Sequence, residues 1–471
     1  MKKSICQLKS PLLQVLEAIN HEPAGIAFIV DEKNRLCGVV TDGDVRRMLL
    51  AGRDLKSEIV KEDLKEFVVA RQGEPVEELL KKSDKRVRVI PIVNENFEPV
   101  DYFRYEHRVH MMPVAEPDLA GKEFSYLSDA FLSTWISSSG KYITDFEKNF
   151  ASYCGTRHGV AVSNGTVALH LAMVALGIGK GDEVIVPDLT FAATINTVLH
   201  ANATPVIVDV EKDSWCIDPK EVEKAITPKT KAIIPVHLYG QPCDMDAIMA
   251  IAHKHNLYVI EDAAEAHGAV YNGKKTGSFG HISCFSFYGN KVITTGEGGM
   301  CLTNDDALNE KMRVLRDHGM SKTKKYWHEH VGFNYRMTNL QAAIGCAQLE
   351  RIEEILRERK ETESKYRSLL GKYPFICWQK NIEGRIKTVW LVSVLLEGVE
   401  RELVFDTLSR NGVDVRPFFY SLSSMDIYKP YSFSSAVSRE LSAKGMNLPT
   451  IKNVDFGKID QALAELKNEI A

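Results

Sequence analysis

The chain has 471 residues, 44% of them hydrophobic and 26% charged, with a formal net charge of −4. That length exceeds one ordinary domain and suffices for two or three. The nearly balanced charge supplies no basic field for a nucleic-acid or membrane-surface protein, and no apolar run reaches the roughly 18–20 residues that span a bilayer.

The opening MKKSICQLKSPLLQVLEAI carries lysines but no long apolar core followed by a small-residue cleavage site, so it is not read as a signal peptide. Nine irregularly spaced cysteines with no Cys-x-x-Cys pair read as reduced thiols of a cytoplasmic protein. No metal site is assigned.

Residues 1–107 form the first expected unit. IAFIVDEKNRLCGVVTDGDVRRMLLAG predicts strand, turn, strand and helix, with Lys33-Asn34 at the turn. VRVIPIVNENFEPVDYFRYEH repeats the pattern without a gap. Val30 aligns with Val93, Asp31-Glu32 with Asn94-Glu95 and Val40 with Phe103, an offset of 63 residues. Repeated units of this kind bury their faces against one another, so a paired α+β module is expected. The pattern resembles a tandem CBS domain. That resemblance implies adenine-nucleotide contacts from a Thr-x-x-Asp element, here Thr41 and Asp44. Arg104 and His107 stand in those places in the second copy, which implies at most one nucleotide site per pair. Thr41 and Asp44 are equally the residue types that cap a helix beginning near Val45, and interaction or dimerisation is the expected use of the module.

A short connector over 108–118 follows, within HRVHMMPVAEPDLAG. Beyond it, GDEVIVPDL, KTKAIIPVHLYG, NLYVIED and HISCFSF predict strands, while VALHLAMVALG and DMDAIMAIAHKHN predict helices. This alternation over 119–347 predicts a mostly parallel sheet covered on both faces. From Gln348, LERIEEILRERKETESKYRSLL predicts one long amphipathic helix leading into a smaller α/β portion, 348–471.

Three segments carry chemistry. In SNGTVALHLAM a polar turn with Gly165 opens a helix whose first amides lack intrahelical partners, and Thr166 adds a hydroxyl. Such a start binds phosphate, or is an ordinary cap. In NLYVIEDAAEAHGA a buried strand runs into Glu261 and Asp262. The carboxyl ends of parallel strands face the ligand crevice, so a carboxylate there holds a ring nitrogen protonated or caps the next helix. In HISCFSFYGNKVITTGEGGM a strand ends at Ser286, and Lys291 follows a short glycine-containing turn. Lying between two strand-like runs, that lysine has no evident surface role. A lysine in such a site has a depressed pKa and acts as a Schiff-base nucleophile.

These segments in this order, with Asp262 29 positions before Lys291, closely resemble the sugar aminotransferases of the DegT/DnrJ/EryC1/StrS group. The resemblance runs from about Val114 to near the C-terminus and includes AEPDL, WISSSGKYITDFEKNFA and GFNYRMTNLQAAIG. It implies an α/β fold-type I aminotransferase using pyridoxal 5′-phosphate, with a smaller C-terminal domain, working as a homodimer with sites between subunits. By that resemblance Lys291 holds the cofactor covalently and later shuttles protons, and Asp262 pairs with the pyridinium nitrogen. Gly165, Thr166 and Ser286 bind the phosphate, Asn334 reaches the phosphate in the partner's site, and Phe191 lies against the ring face. Glu265 stands where many relatives carry a glutamine that donates to the phenolic oxygen, which a glutamate does only when protonated. Likeness in position also offers Ser138, Lys141, His237 and Arg416 as substrate contacts.

FSFYGNKVITTGEGGM is most similar to members that aminate the 4-position of a GDP-linked 4-keto-6-deoxymannose with glutamate as donor. A UDP-linked keto sugar and amination at the 3-position stay open. Relatives that dehydrate sugars carry histidine in place of the lysine, and Lys291 argues against that chemistry. The intact set of Lys291, Asp262 and Ser286 argues against a nucleotide-sensing regulatory protein with an inactive enzyme domain.

Overall fold

The computed structural model describes residues 4–470 except 22–24, 65–66, 76–77, 80–81, 83–88 and 105–110. His107, the side chain of Arg104 and the first residues of the expected connector lie outside the described residues. The chain forms two compact units, 1–109 and 110–471.

The first unit holds two three-stranded sheets, β1 (Ile5–Gln7), β2 (Ile26–Val30) and β3 (Leu36–Thr41), then β4 (Ala70–Arg71), β5 (Val89–Val93) and β6 (Pro99–Arg104). In each, the first pair is parallel and the second antiparallel. The offset seen in the sequence is also the offset of the ladders. Ile26 faces Thr41 as Val89 faces Arg104, and both ladders shift register at the same step, Ile29/Val30 and Ile92/Val93. Even the turns correspond: Asn34 has φ 60° and Phe97 φ 66°. Asparagine visits the left-handed region readily and phenylalanine does not. The Phe97 ring is covered by the Arg71 guanidinium, 5.4 Å from its centroid. Phe28 and Leu36 of the first copy are buried together with Val93 of the second, so the copies share one core.

The second unit is built on a seven-stranded sheet of order β7-β15-β14-β11-β10-β8-β9. These strands are β7 (His158–Val162), β8 (Glu183–Pro187), β9 (Thr204–Val208), β10 (Thr230–Ile233), β11 (Tyr258–Asp262), β14 (Ile282–Ser286) and β15 (Gly299–Thr303). Only β15 runs against the rest. A short ribbon of β12 (Val270–Tyr271) and β13 (Lys274–Lys275) pairs with β17 (Arg385–Ile386). Side chains alternate across the sheet, which separates two cores. Ile185, Ile233, Val259 and Phe285 pack on one face; Val184, Ala232, Ile260 and Cys284 pack on the other, under the helix Gly165–Ala175. Both faces are covered, which is why these strands read as continuous apolar runs.

The C-terminal portion corrects one expectation. Gln348 does not start a long helix. The helix Asn339–Glu350 ends there and a second, Ile352–Leu370, begins after Arg351. Arg351 reaches Asp118 at 3.2 Å and Glu354 at 3.0 Å, a tertiary anchor that fixes the bend. Beyond lies an antiparallel sheet of β16 (Ile376–Trp378), β18 (Val392–Leu396), β20 (Gly445–Leu448) and β19 (Arg416–Pro417). Met112 bridges Val413 beside this sheet, and the Val114 carbonyl accepts from the Thr450 amide, so the segment from Met112 is stitched to the far end of the chain.

Candidate active site

β11 and β14 are neighbours in parallel register, with Asp262 opposite Cys284. Their carboxyl ends therefore bring Asp262 and Ser286 to one edge, on the face covered by the helix Gly165–Ala175. Ser286 abuts the start of that helix. A Cβ at position 165 would come within 2.7 Å of the Ser286 Cβ, so only glycine permits the approach. The Asn164 side chain caps the helix by accepting from the Val167 amide at 3.0 Å. The amides of Gly165 and Thr166 keep the unspent donor capacity of a helix start, next to the Ser286 hydroxyl. This cradle fits a phosphate.

Asp262 is buried and accepts from the Thr194 hydroxyl at 2.8 Å and the Ala264 amide at 3.2 Å. Burial pushes its carboxyl above the usual range. Lys291, with its side chain 11% exposed, lies 3.8 Å from Glu265 Oε1. Its Nζ is 3.7 Å from the centroid of the Trp390 ring. Burial lowers the Lys291 pKa, against the pull of Glu265 and Asp262. Glu265 is itself buried and accepts the Tyr239 amide at 2.7 Å. Burial outweighs the nearby lysine and lifts its pKa to about 7, so near neutrality a large share of it is protonated and able to donate. A buried lysine, a buried aspartate and a phosphate cradle at one sheet edge fit an aldehyde cofactor bearing a basic ring nitrogen and a phosphate.

The other carboxylate of the strand serves the fold. Glu261 accepts from the amides of Gly277, Phe279 and Gly280 at 2.7–2.8 Å, from the Ser283 hydroxyl at 2.7 Å and from His237 Nε2 at 3.0 Å. Burial acts to raise its pKa, but His237 and the ring of donors prevail and hold it below the usual value. His237 Nδ1 accepts the Cys243 amide at 3.1 Å, so both its ring nitrogens are spent inside the protein.

A cavity of about 820 Å³ opens beside Asn290 and Trp390, walled by Phe191, Tyr239, Tyr288 and Phe419, with Arg416 also in its lining. Phe191 is 58% exposed and packs 5.7 Å from Phe419. Arg416 pairs with Asp414 at 3.0 Å. The structure does not bring Ser138, Lys141 or His237 into this lining. Lys141 is an exposed partner of Asp129 at 2.9 Å. Asn334 is exposed, accepts from Arg336 Nε at 3.0 Å, and is likewise outside the lining. Thr194, Tyr239 and Trp390 are functional neighbours that sequence reasoning missed. Thr194 stands three residues after Phe191 in PDLTFAAT, and a hydroxyl side chain so close to a strand end is a signal that could have found it; nothing in the spacing of TVWLVS marks Trp390.

In the first unit, Thr41 and Asp44 form a reciprocal cap on the helix Asp42–Leu50. The Thr41 hydroxyl and amide donate to Asp44 Oδ2 at 2.6 and 3.1 Å, and Arg47 takes Oδ1.

A mostly parallel sheet carrying this lysine, aspartate and phosphate cradle on its carboxyl edge defines a fold-type I pyridoxal 5′-phosphate aminotransferase. The chain belongs to the DegT/DnrJ/EryC1/StrS aminotransferase family, which matches residues 117–467, and a CBS domain matches residues 5–51. It is 49% identical to a GDP-perosamine synthase of Caulobacter vibrioides over 75% of this chain and 96% of that one. It is 45% identical to a GDP-perosamine synthase of Vibrio cholerae over 76% and 99% of the two chains. Among solved structures, Spr1654 of Streptococcus pneumoniae in its PLP-form matches with a TM-score of 0.72 at 27% identity, over 77% of this chain and all of that one. An aminotransferase from Psychrobacter cryohalolentis matches with a TM-score of 0.69 at 33% identity, over 75% and 98%.

Proposed function

We propose that this enzyme converts a GDP-linked 4-keto-6-deoxymannose to the 4-amino sugar with glutamate as donor, acting in the cytoplasm as a homodimer. The observation that carries the chemistry is Lys291, buried beside Glu265 and Trp390 and next in sequence to Asn290, which together with Trp390 lines a cavity of about 820 Å³. Likeness to two GDP-perosamine synthases over nearly their whole length supports the choice of sugar.

When bound, the cofactor supplies a carbonyl that accepts the amino group and a ring that stores an electron pair. Lys291 would hold it and would move the proton at the substrate carbon; burial lowers its pKa, which favours the amine that such proton transfer needs. Asp262 keeps the ring nitrogen protonated, and Thr194 orients the carboxylate. Gly165, Thr166 and Ser286 hold the phosphate. Glu265 in its protonated form donates to the phenolic oxygen, the task a glutamine performs without titrating. Phe191 covers the ring face, and Arg416 meets the substrate at the cavity.

Asn334, exposed on its own chain, fits this scheme by reaching the partner's phosphate, as the resemblance implies. Exposed apolar side chains supply a surface on which two copies could pair. Phe124 and Phe131 lie about two turns apart on the helix Glu123–Leu132, and both are exposed together with Leu132 and Trp135. A monomer rarely leaves so many large apolar side chains in water. Nine free cysteines, seven of them buried, suit a reducing compartment.

The test is a panel of enzyme, glutamate and GDP-, UDP- or dTDP-linked 4-keto-6-deoxy sugars read by product mass. Amination of the GDP sugar alone supports the assignment. Preference for a UDP-linked sugar, or a product aminated at the 3-position, replaces it.

A further inference from the structure

Lys291 has two tasks that conflict. It bonds to the cofactor, and it also has to wait nearby as a free amine while the amino group is elsewhere. A lysine stem is flexible and its ammonium strongly hydrated, so a released amine tends to drift toward water. Here the amine has a built resting place. Nζ sits 3.7 Å from the centroid of the Trp390 ring and 3.8 Å from Glu265 Oε1. Trp390 is buried and tied at both ends. Its Nε1 donates to the carbonyl of Asn290, the residue before Lys291, at 2.8 Å. Its own carbonyl accepts from the buried Arg359 guanidinium at 2.7 Å. The indole packs in a cluster with Tyr239 and Phe419, whose centroids lie 6.0 and 6.4 Å from it and 5.4 Å from each other. Tyr239 in turn donates its amide to Glu265. Lysine, indole and carboxylate are thus fixed to one another.

We propose that Trp390 is a positioning residue for Lys291: its indole face, with Glu265 opposite, docks the amine whenever it is not bonded to the cofactor. The proposal rests on the assignment of Lys291 made above. In its protonated form the amine is held over the indole face by the ring quadrupole, more firmly where water is excluded, and the hold relaxes when the proton is given up. The dock is firm without being a trap. At 3.8 Å the lysine and Glu265 attract each other without the short charge-assisted hydrogen bond that would resist release.

Selective ¹³C labelling of lysine ε-carbons reads the dock directly. The enzyme is loaded with pyridoxamine 5′-phosphate, which leaves Lys291 unbonded, and the Lys291 resonance is identified by its loss in Lys291→Ala. Its ε-methylene protons are expected upfield of those of the other lysines because of the indole ring current. Trp390→Leu should return them to the common position, and Trp390→Phe should retain part of the shift. The rate of amino transfer from glutamate should fall about tenfold in Trp390→Leu and less in Trp390→Phe, with KM unchanged. A Lys291 resonance at the common position in the native enzyme overturns the dock, and that reading needs no variant to fold. So does a shift that survives Trp390→Leu. A Lys291 resonance identical in the pyridoxal- and pyridoxamine-loaded enzymes overturns the assignment of Lys291, and the dock with it.

Discussion

The two sides of the end of β11 carry adjacent carboxylates with opposite fates. Glu261, on one face, is surrounded by five donors and held ionised. Asp262, on the other, has two donors and a raised pKa, and it shares its surroundings with Glu265 and Lys291, which are also perturbed by burial. A buried charge whose hydrogen bonds are complete belongs to the architecture. Buried ionisable groups left partly unsatisfied, and clustered, are kept for a ligand or a reaction.

The contrast breaks if the two carboxylates respond alike to neutralisation. Glu261→Gln removes the charge that five donors, His237 among them, require, so stability should fall by about 3–5 kcal/mol, measured by urea unfolding. Asp262→Asn should leave the unfolding midpoint unchanged or raised, because it removes a charge that burial penalises. Its turnover should drop by on the order of 10²–10³-fold, the usual cost of one preorganised electrostatic partner.

Glu265→Gln sharpens the same contrast through pH. The Glu265 pKa rises from 4.5 to about 7 on folding, so the folded protein binds the proton more tightly than the unfolded chain. The stability this group contributes is complete below pH 4.5 and is lost as pH rises to about 7. Glutamine should abolish that slope and leave the variant more stable at pH 8, by about 3 kcal/mol. A thermal midpoint measured from pH 4 to 8 checks it; parallel curves for native and variant protein would refute the shift.

The smallest effect belongs to the first unit. Asp44→Ala opens the cap made with Thr41 and should cost that unit about 1 kcal/mol without changing amination. Calorimetry with AMP and ATP on the full chain separates the two readings of this pair. Binding of one nucleotide per chain that Asp44→Ala weakens makes the module a sensor, and absence of heat leaves an interaction module.

Much of this site was legible because its parts are local. Gly165, Ser286 and Lys291 sit at strand ends or helix starts whose chemistry is written in a few neighbouring letters. The residues alone left Glu261 and Asp262 alike, and only the resemblance singled out Asp262; which face each carboxylate takes depends on the register of β11 against β14 and on which face each helix covers. His237 follows β10 much as an active-site residue would, yet its nitrogens are spent on Glu261 and Cys243. Trp390 and Tyr239 come from distant segments and meet Lys291 and Glu265 only in three dimensions. The break at Arg351 was hidden for a similar reason: arginine is a good helix former, and its anchor, Asp118, lies far away in sequence. In the first unit the repeat was plain in the sequence, but nothing announced that Phe97 would adopt the left-handed turn that Asn34 takes in the first copy.

The central claim is that Lys291 is the residue that bonds the cofactor. Borohydride reduction of the pyridoxal 5′-phosphate-loaded enzyme, followed by digestion and peptide mass mapping, tests it most directly. The account predicts a phosphopyridoxyl group on the peptide carrying Lys291, and its absence from a folded Lys291→Ala variant. The label on any other lysine, with Lys291 unmodified, would contradict it.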